Sequence, residues 1–262
     1  SFLKQACEDA GVEALGYLPK QANVEIPSRH LGLTLDEAFC FDTFADRVAE
    51  LVEKHVDIDR LLALTACRSD TVSPVSFLEE RQSSPLKISI ARDAAFNFAY
   101  EENIRFLHQL GKVTFFSPLK DSTLPESDFV YLPGGYPELF LSGLSANRSM
   151  LQSIRNYAEA GGKLLAECGG MMYLCNDIKS SEGTSYPVVG LLNQSATMEQ
   201  MKLRLGYRTL RYQDHILTGH EFHYSRIESQ EEKLLSVATA YTAKGSPVDT
   251  PLYRYKNVLA GY

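Results

Sequence analysis

The 262-residue chain has 44% hydrophobic and 23% charged residues and a net charge of −7, the balance of a soluble globular protein with one large domain or two modest ones. Its acidity argues against a general nucleic-acid or anionic-membrane surface, and no apolar run is long enough to span a bilayer. A polyanionic substrate would need a local basic pocket.

The opening, Ser1-Phe2-Leu3-Lys4, has neither an initiator Met nor the apolar stretch of a signal peptide, and reads as the interior of a longer or processed chain. Phe2 to Ala10 is a predicted short helix with Gly11 placed for a left-handed cap. Val12 to Leu18 is a predicted strand stopped by Pro19. Thr34-Leu35-Asp36-Glu37 is a capping-box pattern, and an amphipathic helix through Phe44, Val48, Leu51 and Val52 should follow. Residues 1–65 form one unit, too small and open for an independent domain. Residues 66–86, with two prolines and no period, read as a linker.

From Lys87 the pattern alternates. Strands are predicted over 87–91, 113–116, 129–132 and 163–166, with helices over 100–110 and 150–160 between them. Short connections between alternating strands and helices predict a mostly parallel sheet covered by helices on both faces. Residues 185–262 are richer in β, with strands expected at 188–191, 203–211 and 221–227.

The cysteines are Cys7, Cys40, Cys67, Cys168 and Cys175. An odd count without a C-x-x-C pair points to reduced thiols in a cytoplasmic protein, not to a zinc site or a disulfide framework. Cys168 stands apart. The run Gly162-Lys163-Leu164-Leu165-Ala166-Glu167-Cys168-Gly169-Gly170-Met171-Met172 is an apolar strand, a cysteine, two glycines and a helix-like continuation, the layout of a nucleophile elbow. Small neighbours let a strained turn pack closely, the helix start favours thiolate, and the Gly169 amide can face a developing oxyanion. On this segment alone, a structural cysteine at a glycine-rich turn has equal weight. The second feature is Tyr131-Leu132-Pro133-Gly134-Gly135-Tyr136-Pro137-Glu138. Here a strand runs into glycines whose amides can turn toward a ligand, although a plain turn is the commoner meaning of such a run. Strand ends of a parallel sheet share one edge, which allows the two turns to act together.

These strings together resemble a known family. LPGGYPELF, an Asn-containing helix and GGKLLAECGGMMYL are similar to the glutaminase domain of the cobyrinic acid a,c-diamide synthases, corrinoid-type class I glutamine amidotransferases. So are Gly190-Leu191-Leu192, Leu205-Gly206-Tyr207-Arg208, Gly219-His220-Glu221-Phe222-His223-Tyr224-Ser225 and Asn257-Val258-Leu259-Ala260-Gly261-Tyr262. Gly16-Tyr17-Leu18-Pro19 and Arg29-His30-Leu31-Gly32-Leu33 resemble the end of that family's ATP-dependent synthetase domain.

The resemblance implies a flavodoxin-like class I glutaminase domain over 87–262, preceded by a fragment of a P-loop-type synthetase domain over 1–65. It implies that Cys168 attacks the amide of glutamine, with Gly134, Gly135 and Gly169 as oxyanion hole. The ammonia would serve ATP-dependent amidation of the a- and c-carboxylates of cobyrinic acid. ATP and Mg would belong to the full-length enzyme, with none bound to the glutaminase domain. Glutamine and a corrin are the implied partners, without nucleic acid or membrane, in a cytoplasmic protein that could form a homo-oligomer.

The chain departs from the family in lacking a G-x-x-x-x-G-K-[ST] loop, so it should not make the diamide by itself. The family's activating His follows a segment like NVLAGY, and here the sequence ends at Tyr262, so weak glutaminase activity is expected of this stretch alone. His220 and His223 are the nearby substitutes. H-E-F-H lacks zinc spacing, and two positions three apart on a strand face opposite sides, so a structural role is preferred for both. Glu138 reads as a loop anchor, and Glu167 as pointing away from Cys168. A cysteine hydrolase of other specificity and a non-catalytic amidotransferase-like binding module are the alternatives.

Overall fold

The computed structural model describes residues 2–21, 24, 28–29, 32–33, 40–66, 86–229 and 234–262. The chain divides into two units, Ser1–Leu78 and Glu79–Tyr262.

The first unit holds helices Phe2–Asp9, Phe41–His55 and Ile58–Thr65, and an antiparallel pair of Ser28–Arg29 with Gly32–Leu33. The first two helices match the sequence reading, with Gly11 left-handed at φ +68. The third is not among the predicted elements. Asp57 starts it by accepting the Arg60 amide at 2.9 Å.

The expected strand Val12–Leu18 is absent. Only Gly16 makes a bridge, to Val56, while Tyr17 N–H donates to the His55 carbonyl and Asp57 N–H to the Leu15 carbonyl. The segment is extended, but it pairs with the end of a helix and not with a strand. Gly16 permits this: a Cβ there would lie 2.0 Å from the His55 carbonyl oxygen. The predicted capping box Thr34–Glu37 and linker residues 67–85 lie outside the described residues.

In the second unit the predicted alternation is realised. Its sheet strands are β1 (Leu86–Ala91), β2 (Gly111–Phe116), β3 (Phe129–Leu132), β4 (Lys163–Glu167), β5 (Leu252–Tyr255) and β6 (Val258–Gly261). The helices used below are α1 (Glu101–Leu110), α2 (Arg148–Glu159) and α3 (Gly169–Leu174). The sheet order is β5-β6-β4-β3-β1-β2, all parallel except β5, which pairs antiparallel with β6. The parallel part has the flavodoxin-like order, in which ligands bind beyond the carboxyl ends of the strands.

Ile88 and Ile90 of β1, Tyr131 of β3 and Ile104 of α1 form a buried cluster backed by Leu107, Leu110 and Leu165. α2 buries Met150, Leu151, Ile154 and Ala158, a stripe at helical spacing. Each such aliphatic side chain stabilises the fold by about 1.5–3 kcal/mol.

The later residues form two further four-stranded sheets. Arg204–Tyr212 is a strand as predicted, paired along its length with His215–His223. Two expectations fail here. Val188, Val189 and Leu191 are buried, but residues 188–191 form no strand and connect Ser185–Pro187 to Leu192–Thr197. Gly190 is left-handed at φ +69 and its N–H donates to the Cys175 carbonyl, so a regular ladder cannot run through it. The expected strand 221–227 is two strands, ending at His223 and restarting at Arg226, in different sheets. No helix among the described residues is long and apolar enough to cross a membrane.

Candidate active site

Cys168 occupies the turn between β4 and α3. Its backbone is at φ 50, ψ −107, a strained conformation for a residue with a Cβ. Two hydrogen bonds hold it there: its N–H donates to the Gly261 carbonyl at 2.8 Å, and its carbonyl accepts from Met172 N–H at 3.0 Å. The following glycines are required by space. A Cβ on Gly170 would lie 2.1 Å from the Leu132 carbonyl oxygen, and one on Gly169 would lie 2.8 Å from Pro137 Cδ.

The Pro-Gly-Gly turn after β3 comes to the same place. A Cβ on Gly134 would sit 3.6 Å from Cys168 Cβ, and one on Gly169 would sit 3.2 Å from Gly135 N. Cys168, Gly134, Gly135 and Gly169 are therefore neighbours. Gly134 and Gly135 also pair with Phe98 and Phe96, which pins the turn from its other side. That pairing had no signal in the sequence.

The electrostatics reverse one expectation. A helix start was expected to favour thiolate, yet the Cys168 thiol is pushed up to about 12, first by burial and then by the Glu138 carboxyl. The Gly169 N–H acts the other way by donating to the sulfur, but it does not prevail. α3 has only six residues, and its weak terminus cannot offset a packed sulfur facing an acid. The same burial raises the Glu138 carboxyl to about 7. The sequence reading of Glu138 as a loop anchor omitted this pairing with the sulfur. Glu167 accepts a hydrogen bond from the Tyr131 hydroxyl.

Glu138→Gln tests the pairing. Above pH 7 the Glu138 carboxylate opposes thiolate formation, so the variant should alkylate faster at Cys168, by roughly threefold to tenfold at pH 8. Below pH 6 both proteins carry a neutral group and the rates should coincide. Iodoacetamide labelling followed by peptide mapping reads this directly, and equal rates at pH 8 would contradict it.

The two histidines separate as strand alternation requires. His220 is exposed, and its Nδ1 lies 3.2 Å from the Tyr100 hydroxyl. His223 is buried. Its Nε2 lies 2.8 Å from Glu221 Oε1, its Nδ1 lies 2.8 Å from the Ser225 carbonyl, and its ring stacks on Tyr262 at 3.5 Å. Glu221 also accepts from Arg208 Nε at 2.6 Å and Thr250 Oγ1 at 2.9 Å. Burial would raise the Glu221 carboxyl, but the bonds from His223, Thr250 and Arg208 prevail and hold it at about 2. Arg208, Glu221 and Tyr262 fell inside resembling motifs without any assigned role.

Residues 87–262 match the CobB/CobQ-like glutamine amidotransferase domain. The chain belongs to the CobB/CobQ-like glutamine amidotransferase family.

Relatives of this amidotransferase extend the match upstream. The chain is 41% identical over 262 residues to the cobyrinate a,c-diamide synthase of Clostridium acetobutylicum, covering 96% of this chain and 58% of that protein. It is 38% identical over 244 residues to the enzyme of the same name from Caldanaerobacter subterraneus subsp. tengcongensis, covering 87% and 53%. It is 35% identical over 264 residues to the hydrogenobyrinate a,c-diamide synthase of Pseudomonas aeruginosa, covering 100% and 59%. The chain thus spans between half and three-fifths of the length of these relatives. Every candidate site residue lies inside the amidotransferase match, and residues 1–86 precede it.

Proposed function

We propose that the second unit hydrolyses glutamine through a Cys168 thioester. Within a protein as long as its relatives, it would supply ammonia for ATP-dependent amidation of the a- and c-carboxylates of cobyrinic acid. The observation that carries the reading is Cys168 at a strained strand-to-helix turn with the Gly134-Gly135 turn packed against it.

The Cys168 sulfur attacks the side-chain amide carbon of glutamine, and the oxygen takes the negative charge. Backbone amides of Gly134, Gly135 and Gly169 supply the oxyanion hole. Collapse breaks the C–N bond, the nitrogen takes a proton and leaves as ammonia, and a γ-glutamyl thioester remains. Water then adds, glutamate departs, and the thiol is restored.

With the thiol near 12, only about one part in 100,000 is thiolate at pH 7, so a general base has to take its proton. The family resemblance puts a His shortly after the Asn257–Tyr262 segment. β6 runs parallel to β4, and its last carbonyl holds the Cys168 amide, so the carboxyl end of β6 lies beside the Cys168 turn.

Residues 1–65 are assigned to the end of a synthetase domain, 66–86 to a linker and 87–262 to the glutaminase. The chain has no G-x-x-x-x-G-K-[ST] loop, so its residues do not fit a triphosphate cradle.

The full-length protein is tested with glutamine, ATP, Mg and a corrin acid. Glutamate release together with corrin amidation is expected, with a γ-glutamyl adduct on Cys168 in rapidly quenched samples. Amidation from ammonium salts without any glutamate release from glutamine would make this unit a non-catalytic module. Glutamate release without corrin amidation would leave the glutaminase standing and remove the corrin.

A further inference from the structure

We propose that His223 is a positioning residue for the Cys168 site. Clamped between Glu221 and the Ser225 carbonyl and stacked flat on Tyr262, it secures the end of β6, whose Gly261 carbonyl holds the Cys168 backbone. The inference rests on the reading of Cys168 as nucleophile.

Strain at Cys168 sets the requirement. A non-glycine residue at φ 50 persists only where its surroundings over-determine it. One of the two bonds that hold it there runs from Cys168 N–H to the Gly261 carbonyl at 2.8 Å. Gly261 is therefore a tether, and the next residue, Tyr262, decides whether the tether is steady.

Tyr262 is held from two sides. Its hydroxyl lies 2.8 Å from Ser225 Oγ, and its ring lies parallel to the His223 imidazole, 3.5 Å away and tilted by only 5°.

His223 in turn has little freedom. Its ring nitrogens face a peptide carbonyl and a carboxylate, each at 2.8 Å, so the ring plane is fixed from both sides. Glu221, on one side of the ring, is itself held by Arg208 and Thr250 from other directions. The chain of contacts runs Arg208, Glu221, His223, Tyr262, Gly261, Cys168. It links the Arg204–Tyr212/His215–His223 hairpin to the nucleophile without His223 having to touch substrate.

A buried ion pair of this kind is a poor source of stability compared with apolar packing of equal volume. Its fixed angles are better suited to holding a group in place. Displacing a reacting atom by about 1 Å costs on the order of a hundredfold in rate.

The test uses the full-length protein. His223→Phe keeps a ring on Tyr262 and loses both hydrogen bonds; His223→Gln keeps a donor and loses the stack. His220→Ala, on the exposed opposite face, is the control. For each, kcat and KM for glutamine are measured per folded molecule, at a temperature where circular dichroism shows the native state. Both His223 variants should lose about tenfold to a hundredfold in kcat. KM should stay within about threefold, because the glutamine-binding groups are untouched. His220→Ala should stay within twofold of the parent by the same reasoning, roughly the scatter of neutral surface changes.

A kcat unchanged per folded molecule in either His223 variant overturns the proposal. So does failure of both variants to fold at any temperature, which would assign His223 to the fold alone. An equal loss in His220→Ala overturns it as well. Cys168→Ala, run alongside, separates the two readings. Were it to remain active, the nucleophile assignment would fall. If it is inactive while His223→Phe turns over normally, only the positioning role falls.

Discussion

On the proposed mechanism, Cys168→Ala should lower glutamine hydrolysis by about four orders of magnitude or more, because the proposed thioester needs the sulfur and the residual rate would come from binding alone. The substitution keeps the Cβ, so the backbone at φ 50 faces no new steric demand. The melting temperature should therefore move by only a few degrees, roughly what the loss of one partly buried sulfur costs. Cys168→Ser should be nearly as inactive, since a hydroxyl ionises far less readily than a thiol in the same packed, acid-flanked setting. Neither change should weaken glutamine binding more than about threefold, as the proposed oxyanion donors are backbone amides. Glutamate release by either variant within a hundredfold of the parent would show that another group attacks the amide, and the glycine cluster would need a different explanation.

Much of this arrangement was legible in the residues. The alternation of strands and helices from Lys87 to Leu174 gave the parallel sheet, because apolar runs bounded by glycines have few other ways to be buried. Glycine spacing around Cys168 gave the elbow, because Gly169 and Gly170 sit where a Cβ would strike Pro137 and Leu132. The failures share a cause. At residues 12–18 and 188–191 the composition is apolar and extended, but pairing depends on which neighbour is available, and that is a tertiary fact. Tyr224 and Ser225 divide a run of strand-forming residues between two sheets, and no local signal marks that division. The high thiol pKa was missed for a similar reason. Helix starts are visible in a sequence, whereas a buried carboxyl brought over from the turn after another strand is not.

The hairpin's charge cluster yields the second large effect, this time on stability. In Glu221→Ala the Arg208 guanidinium and the His223 ring lose their carboxylate partner, while their side chains are only 11% and 5% exposed. Thr250 loses its acceptor too. Breaking a buried pair from one side typically costs about 3–5 kcal/mol, because the remaining charge is left uncompensated. In a unit of this size that corresponds to a fall of about 6–20 °C in melting temperature. The pH dependence gives the effect its signature. Glu221 is held at about 2 in the folded protein against an ordinary value of 4.5, so its contribution is complete above 4.5 and is lost as pH falls from 4.5 toward 2. The parent should therefore lose stability across that window more steeply than the variant, and the gap between them should narrow on acidification. Replacing Arg208, Glu221 and His223 together by apolar residues should restore part of the lost melting temperature, since no unpaired charge then remains. If thermal melts at pH 7 show Glu221→Ala within about 2 °C of the parent, the cluster holds the hairpin less tightly than its buried geometry demands.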